Sequence, residues 1–202
     1  MLFIGTPIRD IKEYAIYDWL DNVKNINYPK YLYMVDNSDN PDFSKRIKKY
    51  CKKIDLTDFD LLFLGKMLGR ENEYRLACSR EAIRNKILNG NYNYWFSWEC
   101  DIILPFNALN ILISYMGKFD VVSHCYPSRE EKDTEVGGIG CSMFKREILE
   151  CFNFLEGGGY AMCDPLKPNC YHSGDSWLIT RILRRGYKMV EFHNLLEMRH
   201  LN

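Results

Sequence analysis

The sequence has no uninterrupted apolar run near the ~20 residues that a membrane-crossing helix requires. Its longest candidates, Ile102–Pro105 and Ala108–Tyr115, are short or interrupted by Asn and Ser. Net charge is also absent, because 27 Lys plus Arg stand against 27 Asp plus Glu. The basic footprint of a dedicated nucleic-acid binder is therefore missing, and no nucleic-acid partner is expected. The eight cysteines include no Cys-x-x-Cys pair, which excludes a zinc ribbon on spacing. No internal repeat and no linker divide the 202 residues, so residues 1–202 read as a single domain. The start Met1-Leu2-Phe3-Ile4 carries no basic n-region and reads as a first strand, not a signal peptide. Without an export signal the expected setting is cytoplasmic, with the thiols largely reduced.

What is present is an apolar fraction of 47% with 27% charged residues, the balance of a folded, water-soluble chain. Strand-like and helix-like segments alternate. Leu2–Gly5, closed by Gly-Thr-Pro, reads as a strand, and Ile11–Val23 has helical spacing of its apolar residues. Tyr31–Val35 reads as a strand, Phe43–Lys52 as a basic helix and Leu61–Leu64 as a third strand. Glu73–Leu88 reads as an amphipathic helix ended by Asn89-Gly90. Tyr92–Trp98 is aromatic and strand-prone, and Pro105 is placed to start a helix through Tyr115. Phe119–Ser123 and Gly140–Phe144 are expected strands, Ser176–Arg185 a helix and Tyr187–Phe192 a last strand. Such alternation implies an α/β sandwich with a largely parallel sheet. Glu156–Gly174, rich in Gly, Pro and Cys without periodicity, reads as a long functional loop.

Tyr94-Trp95-Phe96-Ser97-Trp98-Glu99-Cys100-Asp101 is the most informative segment. An apolar strand delivers two carboxylates spaced i and i+2, which point the same way if the backbone is extended. Glu99 and Asp101 can then converge on one hard cation that keeps positions for phosphate oxygens and water. The same residues also fit a strand end with two solvated acids.

Strand, acidic pair, Ile102-Ile103-Leu104-Pro105 and helix resemble the DxD region of GT-A glycosyltransferases, with Glu in the first acidic place. Gly137-Gly138-Ile139-Gly140-Cys141-Ser142-Met143-Phe144 resembles the glycine-rich loop and following strand by the donor sugar. Ser173-Gly174-Asp175-Ser176-Trp177 resembles the acidic xED motif, with Gly replacing Glu. Met198-Arg199-His200 resembles the late histidine that completes the metal site. The likeness, to a family 2-like nucleotide-sugar transferase, spans nearly the whole chain. It implies a three-layer GT-A sandwich around a central, mostly parallel sheet.

The resemblance also implies roles. Asp101, Glu99 and His200 would hold Mn²⁺ (or Mg²⁺), the imidazole favouring Mn²⁺. Asp175 would be the catalytic base that takes a proton from an acceptor hydroxyl, although Ser173 or Asp175 also suits a helix N-cap. Thr6, Pro7, Asp36, Arg84, Glu99, Gly138 and Gly140 would contact the donor. For Asp36 the alternative is turn chemistry, and for Arg84 a solvated helix surface. The implied activity is metal-dependent, inverting transfer from a UDP- or GDP-sugar to a glycan, lipid-linked or protein acceptor. A homo-oligomer or a partner glycosyltransferase would help hold the acceptor. The alternatives are a catalytically inactive sugar- or nucleotide-binding module and a sugar nucleotidyltransferase. Against the latter, Gly5-Thr6-Pro7-Ile8-Arg9 is poor in glycine for a triphosphate loop. Cys163 and Cys170, with His172, have the chemistry for a disulfide or a zinc site but lack a fourth ligand. Trp177, beside Asp175, is a candidate platform for an acceptor sugar.

Overall fold

Adjacent residues along each strand bury toward opposite sides, and this period-two alternation builds two cores. A computed structural model of the chain describes residues 1–65, 71–128, 134–155 and 174–201. The strands are β1 (Leu2–Ile8), β2 (Lys30–Asp36), β3 (Phe59–Phe63), β4 (Tyr94–Trp98) and β5 (Ile102–Ile103). They continue with β6 (Val121–His124), β7 (Tyr126–Pro127), β8 (Glu135–Val136), β9 (Cys141–Lys145), β10 (Met189–Phe192) and β11 (Arg199–His200). The helices are α1 (Glu13–Asn25), α2 (Pro41–Lys53), α3 (Asn72–Leu88), α4 (Ala108–Tyr115), α5 (Arg146–Cys151) and α6 (Gly174–Arg184).

The main sheet has seven strands in the order β10-β6-β9-β4-β1-β2-β3. All neighbours pair in parallel except β9, which runs antiparallel to β4 and to β6. On one face Ile4, Met34, Phe96, Trp98 and Met143 meet residues of α1, α2 and α4, with Trp19 edge-on to Trp98 at 5.3 Å. On the other, Phe3, Val35, Trp95, Val121 and Phe144 meet residues of α3, α5 and α6. Helices on both faces of the sheet make the α/β sandwich that the alternation of elements implied, in the three layers that the resemblance implied. Each face is dry because Phe3 and Ile4, Trp95 and Phe96, and Met143 and Phe144 divide between the two cores.

Several expectations need revision. β1 does not end at Gly5: Thr6, Pro7 and Ile8 continue in register with Met34, Val35 and Asp36. Pro7 is tolerated there because β4 pairs with β1 only over Phe3–Gly5. The apolar stripe expected on Glu73–Leu88 is only part of the buried surface of α3, which also covers Arg75, Arg80 and Glu81. The helix after Pro105 begins at Ala108, and α6 begins at Gly174 rather than Ser176. The short elements β5, β7, β8, β11 and α5 carry too few residues for a periodic signal. Most of the expected loop Glu156–Gly174, including Cys163, Cys170, His172 and Ser173, lies outside the described residues.

Two short two-stranded ribbons stand beside the main sheet. β11 pairs antiparallel with β5, setting His200 opposite Ile102, and Leu201 N–H donates to the Asp101 carbonyl at 2.8 Å. β7 pairs with β8, a ribbon beside the ends of β6 and β10.

Candidate active site

β4 stops at Trp98, and the chain turns over Cys100 and Asp101 before β5. The Trp98 indole N–H closes that turn on the Ile102 carbonyl at 2.7 Å. The acidic pair therefore converges through a turn and not through an extended i, i+2 register. Asp101 is fully buried, Glu99 is half-buried, and His200 approaches from β11. One ligand atom from each of Glu99, Asp101 and His200 lies within 4.8 Å of the others.

The histidine has a defined orientation. His200 Nδ1 lies 2.8 Å from the Pro127 carbonyl, which can only accept, so Nδ1 carries a proton. In the neutral ring Nε2 then presents its lone pair, and it faces Asp101 Oδ1 at 3.7 Å. A cation placed between these two atoms would be held by both. Two carboxylates and an imidazole suit Mn²⁺ better than Mg²⁺. The residues present fit such an ion.

A cation of the chain's own already addresses the carboxylates. Lys12 Nζ is 3.2 Å from Glu99 Oε2 and 3.0 Å from Asp101 Oδ2, and the Tyr14 hydroxyl donates to the same Asp101 oxygen at 3.1 Å. Lys12 closes the single helical turn Asp10–Lys12 between β1 and α1. No motif marks it in the sequence.

Across the same edge of the sheet, Asp175 lies in the first turn of α6. Its Oδ1 is 2.6 Å from Arg80 Nη2, and its Oδ2 accepts the Ile139 N–H at 3.1 Å. Gly138 has φ 151°, and a side chain there would meet Asp175 Oδ2 at 3.0 Å. At Gly140 a Cβ would come within 2.7 Å of the Tyr126 hydroxyl and 2.8 Å of Glu99 Oε1. The glycine-rich segment thus packs directly against both acidic groups.

Two adjoining hollows share a wall made by Leu76, Arg80 and Glu99. The larger, about 750 Å³, is also lined by Tyr126, Gly138 and Asp175. The smaller, about 210 Å³, reaches Pro7, Lys12, Asn37 and Arg75. Burial and the negative fields of Glu99 and Asp175 push the Tyr126 phenol well above its ordinary value, so it is a neutral hydrogen-bonding group in this cleft.

Other expected site residues sit elsewhere. Arg84 donates from Nε to the Leu149 carbonyl at 2.6 Å and from Nη1 to Glu81 at 2.8 Å, a strut between α3 and α5. Arg80, one helical turn earlier, lines both hollows. Thr6 is buried in the sheet and donates to the Trp98 carbonyl at 2.8 Å. Asp36 is also buried, accepting the Ser38 N–H and the Ser44 hydroxyl, which is turn chemistry. Trp177 is 3% exposed and packs beside Phe152 in the core, so it offers no open platform. Arg75, which the sequence did not single out, bridges Asp39 and the Asn37 carbonyl at the mouth of the smaller hollow.

No protein-family model matches the chain, and no curated protein matches it in sequence. Solved structures do match. A mannosyltransferase, PcManGT from Pyrobaculum calidifontis, determined with GDP-Man and Mn²⁺, superposes with TM-score 0.66 at 17% identity. That match covers 96% of this chain and 55% of the other. S. aureus TarS 1–349 superposes with TM-score 0.69 at 10% identity, over 99% of this chain and 60% of that one. The chain has the GT-A glycosyltransferase fold. The chain spans little more than half the length of those two structures. Among its described residues, no helix is long and apolar enough to cross a membrane.

Proposed function

We propose that the chain transfers a sugar from a nucleotide-sugar donor to an acceptor hydroxyl, with inversion at the anomeric carbon. The observation that carries this reading is the convergence of Glu99, Asp101 and His200 at one sheet edge, in a cleft whose wall also holds Asp175. The structural match to a mannosyltransferase captured with GDP-Man and Mn²⁺ supports both the donor class and a divalent ion.

Asp101, Glu99 and His200 would hold Mn²⁺ or Mg²⁺, and the bound ion would neutralise charge developing on the departing nucleoside diphosphate. Pro7 and Asn37 line the smaller hollow and provide the surface for the nucleoside. Gly138 and Gly140 keep the glycine-rich segment close enough for a donor sugar to lie against it. Arg80 takes the part first expected of Arg84, orienting Asp175 and offering a guanidinium to the donor's phosphates. Asp175 accepts the proton of the attacking hydroxyl. An ionised carboxylate has about four acceptor positions, and the Arg80 and Ile139 contacts leave room for that hydroxyl. The acceptor, whether glycan, lipid-linked or protein, would enter through the larger hollow.

The test is hydrolysis and transfer with UDP- and GDP-sugars, each with Mn²⁺ and after chelation. Turnover requires the ion and is lost in Asp101→Ala. Donor binding that ignores metal and survives Asp101→Ala intact would overturn the reading.

A further inference from the structure

A second group of metal-ligating side chains lies outside the Glu99–Asp101–His200 cluster. Its members come from three separate segments: Cys125 just beyond β6, His193 just beyond β10, and Glu135 on β8. One ligand atom from each falls within 4.8 Å of the others. β6 and β10 are parallel neighbours with His124 opposite Phe192, so Cys125 and His193 are the next residues at matching strand ends.

The backbone here is pinned before any ion arrives. Cys125 N–H donates to the Phe192 carbonyl at 2.9 Å. His124 Nε2 accepts both the Leu195 N–H at 3.1 Å and the Leu196 N–H at 2.9 Å, tying the segment after His193 down onto β6. Asn194 takes a left-handed conformation, φ 55°, which turns the chain directly after His193.

The side-chain geometry has the form of a thiolate–imidazole site. Cys125 Sγ is 3.8 Å from His193 Nε2. Two tetrahedral ligands of zinc with ordinary Zn–S and Zn–N lengths stand about 3.6 Å apart. On the far side of the ring, His193 Nδ1 is 2.7 Å from Glu135 Oε2, the carboxylate–histidine arrangement that commonly backs a zinc-bound imidazole. Burial, reinforced by the nearby carboxylates of Glu191 and Glu135, pushes the Cys125 thiol up to about 12. The thiol is therefore protonated when no ion is present.

We propose that Cys125 Sγ and His193 Nε2 bind a borderline-soft divalent metal of the zinc class, with Glu135 holding the imidazole in its ligating orientation. On binding, Cys125 releases its proton to water and its sulfur bonds the metal, while the neutral imidazole binds without proton loss. Water fills the remaining positions. The site clamps the segment that leads to His200 against the β7–β8 ribbon. It is independent of the transferase reading, because none of its residues belongs to the Glu99–Asp101–His200 cluster.

Cobalt(II) is the probe, since only a thiolate ligand gives an intense sulfur-to-cobalt absorption in the near ultraviolet. The full chain, stripped of metal, is expected to bind Co²⁺ with that absorption, whatever the Glu99–Asp101–His200 cluster binds beside it, and Zn²⁺ should remove the band and raise the melting temperature. Cys125→Ser and His193→Ala should each abolish the band, and Glu135→Gln should weaken Zn²⁺ binding about 10–100-fold. Asp101→Asn and a Cys163→Ser/Cys170→Ser double variant should retain the band. The His193 side chain is 59% exposed, so its replacement tests the site even where Cys125→Ser fails to fold. A wild-type chain without the band would overturn the proposal. So would a band that survives His193→Ala but disappears with Cys163 and Cys170.

Discussion

Replacing Arg84 by Met separates two roles for an arginine that lies one helical turn from the cleft. Met keeps the aliphatic stem and a high helix propensity. It deletes the 2.6 Å bond to the Leu149 carbonyl and the 2.8 Å ion-paired bond to Glu81. Glu81 is 7% exposed and, among the described residues, keeps the Phe154 N–H, 3.0 Å from its other oxygen. Both bonds are donated by the charged guanidinium, each contributing about 1.5–3 kcal/mol, so the loss should be roughly 3–6 kcal/mol. For a chain near 200 residues each kcal/mol moves the melting temperature by about 2–4 °C, which gives a fall of roughly 6–24 °C. Calorimetry measures that fall, and titration of UDP or GDP with Mn²⁺ below the transition measures binding. Affinity should stay within about twofold of wild type, because Arg84 lines neither hollow. An unchanged melting temperature with a tenfold loss of nucleotide affinity would refute this assignment and restore Arg84 to the donor site.

Three further outcomes follow from the same geometry. Asp175→Asn retains an acceptor for the Ile139 N–H but cannot take a proton, so transfer should fall about 10²–10⁴-fold with donor affinity nearly preserved; wild-type turnover would remove Asp175 from its role. Lys12→Met removes the ammonium that lies 3.0 Å from Asp101 and 3.2 Å from Glu99, so Mn²⁺ affinity measured by paramagnetic titration should rise severalfold. Weaker Mn²⁺ binding in that variant would mean that Lys12 supports the ion instead of competing with it. Gly140→Ala puts a methyl 2.8 Å from Glu99 Oε1, costing about 1–3 kcal/mol as overpacking and displacing Glu99. Mn²⁺ affinity and melting temperature should both drop, and an unchanged pair would show that the loop yields freely.

Much of the site could be read from local pattern. Tyr94–Trp98 is an aromatic strand followed at once by two carboxylates, and Asp101 is buried at that place in the fold. Gly138 and Gly140 stood out as glycines, and each has acidic groups where a side chain would be. Arg84 illustrates the limit of such reading. A helix presents residues four apart on one face, and the packing of α3 against α5 determines that Arg80 turns to Asp175 while Arg84 reaches Leu149. Asp36 shows the same limit, since a carboxylate at a strand end can face a ligand or cap its own turn. Ser38 and Ser44 occupy its oxygens.

The sequence by itself determined the alternation of elements, the two-sided burial of the strands and the acidic segment after β4. Those follow from periodicity and from residue chemistry within a few positions, which any window of the chain contains. Only the tertiary structure decided that β9 runs antiparallel between β4 and β6, that Lys12 meets the acidic pair, and that His200 closes onto Asp101 through β11. It also brought Cys125, Glu135 and His193 together. The physical reason is common to all four. Contacts between residues tens of positions apart depend on how strands are ordered in the sheet, and no local preference encodes that order.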